Sequence, residues 1–542
     1  MVSTTNHKLS KPKIINVFRK ELGCYYVYSD QYYWDSEADN GKGQTRHIRH
    51  LIGKRAAKDS AIEYNNRYKL QEKNQDIFRR EVSQTLFMGE YLVLEKYIRK
   101  LGLKKQLTEV FGKQQAEEIL TLAAYAICTQ DSLSWCGDWM EGHGPSKLET
   151  LSSQRVSVLL ERITIDKRNT FLKGWMGKHL TKKGYFCFDS SNVISYGQGD
   201  PFVEYGYSHG HKKLPQKNLA ILTRQENLLP VWFGEFSGSK GDVRTVGDLL
   251  KTLHKLKVGT ICFTMDKGYY SEENIELFES TRDKFIMPIP MKVKWQYDII
   301  DACKDLLLSS AARHEVMDAK GALSRIQGIT KVVNRNHHRY YVHVYYNSFN
   351  RSKAENAFME LVYTWRKELK SGNRVHSHEA YYERFFTLRK SKKKGLIIKD
   401  NLAAQSAFQK NYSGYWCLQT NYIQDPARAY EAYAGRNGAE LIFDDWKHEI
   451  DGRTQRSHKP ATNFGRLFIN FISMIILNTF KEDLKKHREG MKLAKLTGYK
   501  QVLYRMSTLS RTQFKGTYKP LYAEPTKTQR IILDTLKLKW PQ

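Results

Sequence analysis

Between residues 184 and 290 the apolar pattern repeatedly changes period, and this alternation narrows the possible folds more than any other feature of the chain. YFCF (185–188) is a short apolar run that stops at Asp189. NLAILTRQ (218–225) and LPVWFGEFSG (229–238) read as two further strands, joined by a turn at Glu226 and Asn227. VRTVGDLLKTLHKL (243–256) shifts to three-to-four spacing, as an amphipathic helix requires. TICFTM (260–265) is a buried-type strand that stops at Asp266. SEENIELFES (271–280) reads as a helix and KFIMPIP (284–290) as a strand.

Three strands, helix, strand, helix, strand is the order of an RNase H-like mixed sheet flanked by helices, an α/β fold. Such an order leaves function open, because function resides in the site. The two aspartates are the first candidates for one. If their strands are neighbours, both carboxylates emerge at one end of the sheet, where α/β proteins build their sites. A lone Asp after a strand also serves as a turn former or helix cap, so neither residue is decisive by itself.

A third carboxylate comes from residues 425–450, which read as helix. Tyr433, Arg436, Glu440, Asp444 and Lys447 sit at offsets of 0, 3, 7, 11 and 14. At 100° per residue they share one face about 80° wide. Leu441, Ile442 and Trp446 fall on the other side. Such a stripe is either a solvated face laced by ion pairs or a metal-binding Glu flanked by cations that hold phosphates. Asp444 and Asp445 are local rivals for the third carboxylate.

Charge points to the class of partner. Lys and Arg total 88 against 57 Asp and Glu, a formal net charge of +31 at pH 7. An excess of that size favours a polyanion, since each neutralised phosphate releases condensed counterions. Ribosomal proteins, RNA enzymes and membrane-surface proteins share such charge. Residues 481–542 alone carry fifteen Lys or Arg and five Asp or Glu. The seven cysteines form no CxxC pair, which argues against a thiolate zinc site and suits a reducing cytoplasm. The longest apolar stretch, Leu467 to Leu477, is too short to span a bilayer and reads as a buried helix, so no membrane partner is expected. GKRAAKDS (53–60) lacks phosphate-loop spacing, and no nucleotide-binding glycine motif is present. His209-Gly-His211 reads as a loop near DNA and not as a metal pair; RKSKKK (389–394) reads as a solvated loop.

YAGRNGAELIFDDWK (433–447) carries the spacing Y-(2)-R-(3)-E-(6)-K. That pattern resembles the signature of the insertion-sequence family-four transposases, a DDE group of bacterial mobile elements. FTMDKGYYSEENI resembles their second-Asp motif, D-x-G-[FY], and FCFDSSNV followed by YGYSHGHKKLPQKNLAIL resembles their first-Asp region. The order D, D, E and the gaps of 77 and 174 residues are similar to members with a strand-rich insertion before the final Glu. The likeness covers roughly residues 184–487 and is less sharp before them.

The resemblance implies a catalytic, metal-binding triad of Asp189, Asp266 and Glu440, with two Mg²⁺ per site and Mn²⁺ as a substitute. It implies DNA contacts from Tyr433, Arg436 and Lys447. Trp416, in YSGYWCLQTN, reads as a strand-core residue and, by the resemblance, as a platform for a flipped base. The implied enzyme is a homodimeric DNA transposase in the cytoplasm, associated with the nucleoid when bound to DNA. It binds double-stranded DNA at terminal inverted repeats, cleaves it as an endonuclease and joins the 3′-OH to target DNA. The alternatives are an inactive transposase-derived DNA-binding protein and a metal-dependent nuclease that does not join strands. The expected organisation is a DNA-binding region of short strands then helices (1–180), the first part of the core (181–290) and an insertion (291–420). C-terminal core helices (421–487) and a basic tail (488–542) follow.

Overall fold

The structure, a computed structural model, describes residues 10–35, 38, 42–66, 68–69, 81–144, 148–180, 184–205, 214–255, 259–291, 293–317, 322–391 and 395–541. His209 and His211 lie outside the described residues, as do Lys392 to Lys394. The chain divides into two units, Met1–Thr85 with Ser510–Ala523, and Leu86–Leu509 with Glu524–Gln542.

The first unit holds an antiparallel sheet in the order β1 (Lys13–Arg19), β2 (Cys24–Asp35), β3 (Gln44–Arg55), β4 (Glu63–Tyr64). Aromatic and β-branched residues dominate β2, as a pleated surface favours. Val27 and Ile52 are buried, whereas Ile14, Phe18, Tyr32 and Trp34 are exposed. Strand β5 (Val82–Phe87) joins Ser510–Phe514 and Leu521–Tyr522 in a three-stranded sheet.

In the second unit the alternation seen in the sequence is the heart of the fold. Strands β6 (Tyr185–Ser195), β8 (Pro215–Arg224) and β9 (Leu229–Ser237) form an antiparallel meander, with β7 (Glu204–Tyr205) paired to the start of β8. Strand β10 (Cys262–Thr264) lies parallel to β6, and β11 (Lys284–Pro288) parallel to β10. The crossovers are the helices Asp242–Lys255 and Glu272–Thr281, the second started by Ser271, whose side chain accepts from the Asn274 amide. A meander with two parallel strands added beside its first strand is the RNase H-like arrangement expected.

The sheet does not end at β11. Strand β17 (Tyr415–Thr420) pairs with it antiparallel, and β14 (His338–Tyr346), β13 (Leu323–Arg335) and β12 (Arg313–Met317) follow in order. Two residues of β18 (Thr454–Gln455) pair with the far end of β6. Within the expected insertion, then, β12, β13, β14 and β17 extend the central sheet. Between them, the helix Ser348–Ser371 and a hairpin of β15 (Phe386–Ser391) and β16 (Gly395–Asp400) surround a separate small core that includes Phe358, Trp365, Tyr382 and Phe385. The described part of the basic run, Arg389 to Ser391, is strand, because it pairs with Ile397, Leu396 and Gly395 of β16.

The helices from Gly89–Leu101 to Ile165–His179 share one apolar core with the sheet. The long helix Pro460–Lys486 joins them and is buried from Leu467 to Asn478. On one side Phe468 meets Phe111 and Phe171 at 5.4 and 5.3 Å, and on the other Phe471 meets Phe233 of β9 at 4.8 Å. Gly465 lies so close to the Leu160 backbone that a Cβ would collide with it, so this crossing requires glycine. By length and composition this helix passes for a membrane span, but 72% of its apolar window is buried by the rest of the fold.

Candidate functional site

Strand register sets the first two carboxylates. Thr264 pairs with Cys187 across β10 and β6, and Thr264 Oγ1 lies 3.3 Å from Cys187 Sγ. Side chains alternate faces, so Asp189, two residues further along β6, is on the face of Cys187, and Asp266 follows two residues after the end of β10. β6 does not stop at Asp189, as the apolar run suggested; it continues to Ser195 because β8 pairs it as far as Ile194. The ladder with β10 does stop, at Cys187. Asp189 therefore lies where the parallel neighbour has left the sheet.

Neither Asp has the ordinary strand-end role. Asp189 is in mid-strand. Its Oδ1 accepts from the Ser190 amide at 2.9 Å and from the Tyr269 hydroxyl at 3.4 Å. Asp266 precedes the one-turn 3₁₀ helix Lys267–Tyr269, and its side chain makes no capping hydrogen bond among the described residues. Tyr269 is the aromatic residue of the D-x-G-[FY] motif. It is 1% exposed, packs against Phe188 at 5.3 Å and shares a 2.9 Å hydrogen bond with Ser190 Oγ. The sequence marked this position without showing what it does.

The third group rides on two helices that cover this face. Pro426–Ala434 begins at Asp425, whose side chain accepts from the Arg428 amide, with Pro426 in the first turn. Asn437–His448 follows after a break at Gly435 and Arg436, both of which keep right-handed helical dihedrals. Gln225 ties the pair to the sheet: its Nε2 donates to Thr264 Oγ1 at 2.9 Å and to the Ala432 carbonyl at 2.8 Å. Cys187 Sγ lies 3.7 Å from the Gly435 carbonyl. No motif announced Gln225, because its role exists only once β8, β10 and the helix are assembled. Ile442 and Trp446 are buried as expected, but Leu441 is 54% exposed.

Arg436 sits among the acidic groups. Its Nη2 donates to Glu440 Oε1 at 2.8 Å, and the guanidinium lies 5.7 Å from the centre of the Tyr433 ring. The Arg436 side chain is 13% exposed and that of Glu440 61%. Arg436 Nε is buried and has no hydrogen-bond partner among the described residues. Burial works against the guanidinium charge, but Tyr433, Asp266 and Glu440 together raise its pKa above the ordinary value. Burial pushes the Tyr433 hydroxyl up to about 12, with Asp266 adding to the rise and Arg436 opposing it. Lys447 is lowered by burial and then by Arg453, while Asp189 and Asp444 hold its charge. So Tyr433, Arg436 and Glu440 share a field with Asp266, and Lys447 shares one with Asp189.

Among the described residues no three His, Cys, Asp or Glu side chains are gathered closely enough to hold a metal ion. The donors fit a hard divalent cation in kind, being carboxylate oxygens on one sheet face and its covering helix. Glu440 is engaged by Arg436. Of the rivals, Asp445 is taken by Lys481 at 2.6 Å, and Asp444 is 70% exposed beside His448.

Trp416 lies on β17, stacked on Tyr345 at 4.6 Å and 6.0 Å from both Tyr430 and Tyr433. It lines a cavity of about 210 Å³ with Arg325, Tyr346 and Asn350. The ring is half-buried on its strand and borders this cavity.

Residues 181–476, more than half of the chain, match the model of the transposase DDE domain family. No match was found among curated proteins. Among solved structures, the chain resembles the piggyBac transposase in a synaptic complex with hairpin DNA, determined by cryo-EM. The likeness has 9% identity and a TM-score of 0.36, over 79% of this chain and 82% of that one. By its sequence from residue 181 to 476, the chain belongs to the transposase DDE domain family.

Proposed function

We propose that this chain is the transposase of a bacterial insertion sequence, of the family-four type with the Tyr-Arg-Glu-Lys signature. It acts as a homodimer in the cytoplasm, binds terminal inverted repeats, cleaves at the element ends and joins the freed 3′-OH to target DNA. The observation that carries the reading is the convergence of separate elements on one sheet face. Strand register supports Asp189 and Asp266 as neighbours, and Arg436 links Glu440 to Asp266. We assign residues 181–290 and 421–487 to the catalytic core, 291–420 to the insertion, 1–180 to DNA end binding and 488–542 to a basic tail.

Asp189, Asp266 and Glu440 would hold two divalent ions, which when bound supply charge neutralisation at the attacking and leaving oxygens of the phosphodiester. The family is generally dependent on divalent metal; Mg²⁺, or Mn²⁺ in its place, suits the donors. The other roles belong to the chain itself. Tyr269 fixes the Asp189 carboxylate through its hydroxyl. Arg436 has a buried Nε with no partner among the described residues, and a phosphate oxygen would satisfy it. Lys447 adds positive charge beside Asp189. Trp416 and Tyr433 offer an aromatic wall on which a base released from the duplex stacks. In cleavage, water attacks phosphorus and the 3′-oxygen leaves; in joining, that 3′-OH attacks a target phosphodiester and another 3′-oxygen leaves.

The test is cleavage of labelled element ends, taken from the DNA flanking the gene, in the presence of Mg²⁺. Asp189→Ala, Asp266→Ala and Glu440→Ala are each expected to abolish cleavage and retain end binding, because affinity rests on Lys and Arg elsewhere. Near-normal cutting by Glu440→Ala would overturn the assignment.

A further inference from the structure

A second surface lies away from the candidate catalytic edge. The end of the helix Pro460–Lys486, the helix Arg488–Leu493 and the start of the helix Tyr499–Met506 enclose a groove of about 790 Å³. Its rim carries Lys481, Lys485, Arg488 and Lys492. Lys481 and Lys485 are paired with Asp445 and Glu482, at 2.6 and 2.5 Å. Arg488 and Lys492 are exposed and have no acidic partner among the described residues. The floor is apolar, made by Met491, Leu496, Tyr499 and Val502. The groove is behind the Glu440 helix: Asp445 and Glu449 face it through Lys481 and Tyr499, roughly 140–180° around the helix from Glu440.

The rim and the floor ask for different things. Several cations in a row, two of them unpaired, favour a ligand with repeated negative charge over a single anion. An apolar floor favours a ligand that also presents flat apolar surface. Duplex DNA meets only the first demand, because its bases are stacked inside. An unpaired strand meets both, with phosphates on the rim and a base over the floor.

We infer that this groove is a binding site for single-stranded DNA, separate from the site of strand cleavage. It does not depend on which residues cut. The test uses the full chain and fluorescence anisotropy of a short labelled oligothymidylate, with a duplex and a base-free oligomer of the same length as comparisons. Arg488→Glu with Lys492→Glu is expected to weaken oligothymidylate binding roughly tenfold, with less effect on the duplex and an unchanged melting temperature. The wild-type chain is expected to bind the base-free oligomer roughly tenfold more weakly, since stacking is lost. Unchanged oligothymidylate affinity in the double variant would overturn the site. So would equal affinity for the base-free oligomer, which makes the rim a plain electrostatic patch. Stronger competition by an acidic peptide containing Phe than by oligothymidylate would overturn it in favour of a protein partner.

Discussion

Arg436 donates to Glu440 across one helical turn, and the two ends of this pair occupy different environments: the guanidinium is mostly buried and the carboxylate mostly exposed. An exposed pair of this spacing contributes about 0–1 kcal/mol. Burial changes the expectation for Arg436, which also lies in the field of Asp266. Arg436→Ala is therefore expected to reduce cleavage by roughly a hundredfold through misplacement of the scissile bond. It is also expected to cost about 1–3 kcal/mol of stability, since a mostly buried side chain that hydrogen-bonds Glu440 is removed. Arg436→Lys should recover stability more than activity, because a lysine lacks the planar fork. Calorimetry beside a cleavage assay reads both. Wild-type cleavage by Arg436→Ala would remove Arg436 from the site.

Lys447 separates charge from packing. It is half-buried beside Asp189. Lys447→Met keeps the aliphatic stem and removes the charge, so it should melt normally and cleave at least tenfold more slowly, by loss of a positioned phosphate contact. Normal cleavage at a normal melting temperature would remove Lys447 from the site.

Tyr269→Phe deletes one hydroxyl that reaches both Asp189 and Ser190. A buried hydrogen bond of this kind contributes about 1 kcal/mol. The variant is expected to fold, lose about that much stability and cleave more slowly, with the deficit in turnover and not in DNA binding. Unaltered turnover would mean that Asp189 needs no such fixing.

His343 predicts a pH dependence of stability. It is fully buried on β14, its Nε2 donates to the Ile423 carbonyl at 3.1 Å, and burial pushes its pKa down to about 4. A group whose folded pKa is depressed contributes stability that is present above the unfolded value, about 6.5, and lost as pH falls toward the folded one. Denaturant unfolding should thus show a loss of about 2–3 kcal/mol from this group between pH 6.5 and 4. His179, also held down to about 4 by burial, acts in the same direction. His343→Gln should flatten the profile partly, and an unchanged profile would contradict the neutral buried imidazole.

DNA affinity should fall steeply with salt. A chain of net charge +31 that neutralises several phosphates releases a matching number of counterions. A flat log–log plot between low and physiological salt would refute the nucleic-acid reading itself.

Residues 185–288 were legible in the sequence because period is a local property: β6, β8, β9, β10 and β11 and their two helices follow directly from where apolar residues recur. The Tyr433–Lys447 spacing was legible as residue offsets, but the break at Gly435 and Arg436, which puts Tyr433 on a different helix from Glu440 and Lys447, was not. The ends of elements were less legible. β6 outruns its apolar segment to Ser195 because β8 pairs with it, and pairing is non-local. The same cause places β12, β13, β14 and β17 in the central sheet: β17 pairs with β11 and β14 pairs with β17, and nothing within those segments records their partner. Residue types and local spacing therefore determined which carboxylates and cations were available. Only the tertiary structure decided that Thr264 and Cys187 share a register, that Gln225 fastens Ala432 to the sheet and that Arg436 is buried with an unused Nε. Each of these depends on elements far apart in the chain being packed together, and the periodicity of one segment carries no information about the surface it meets.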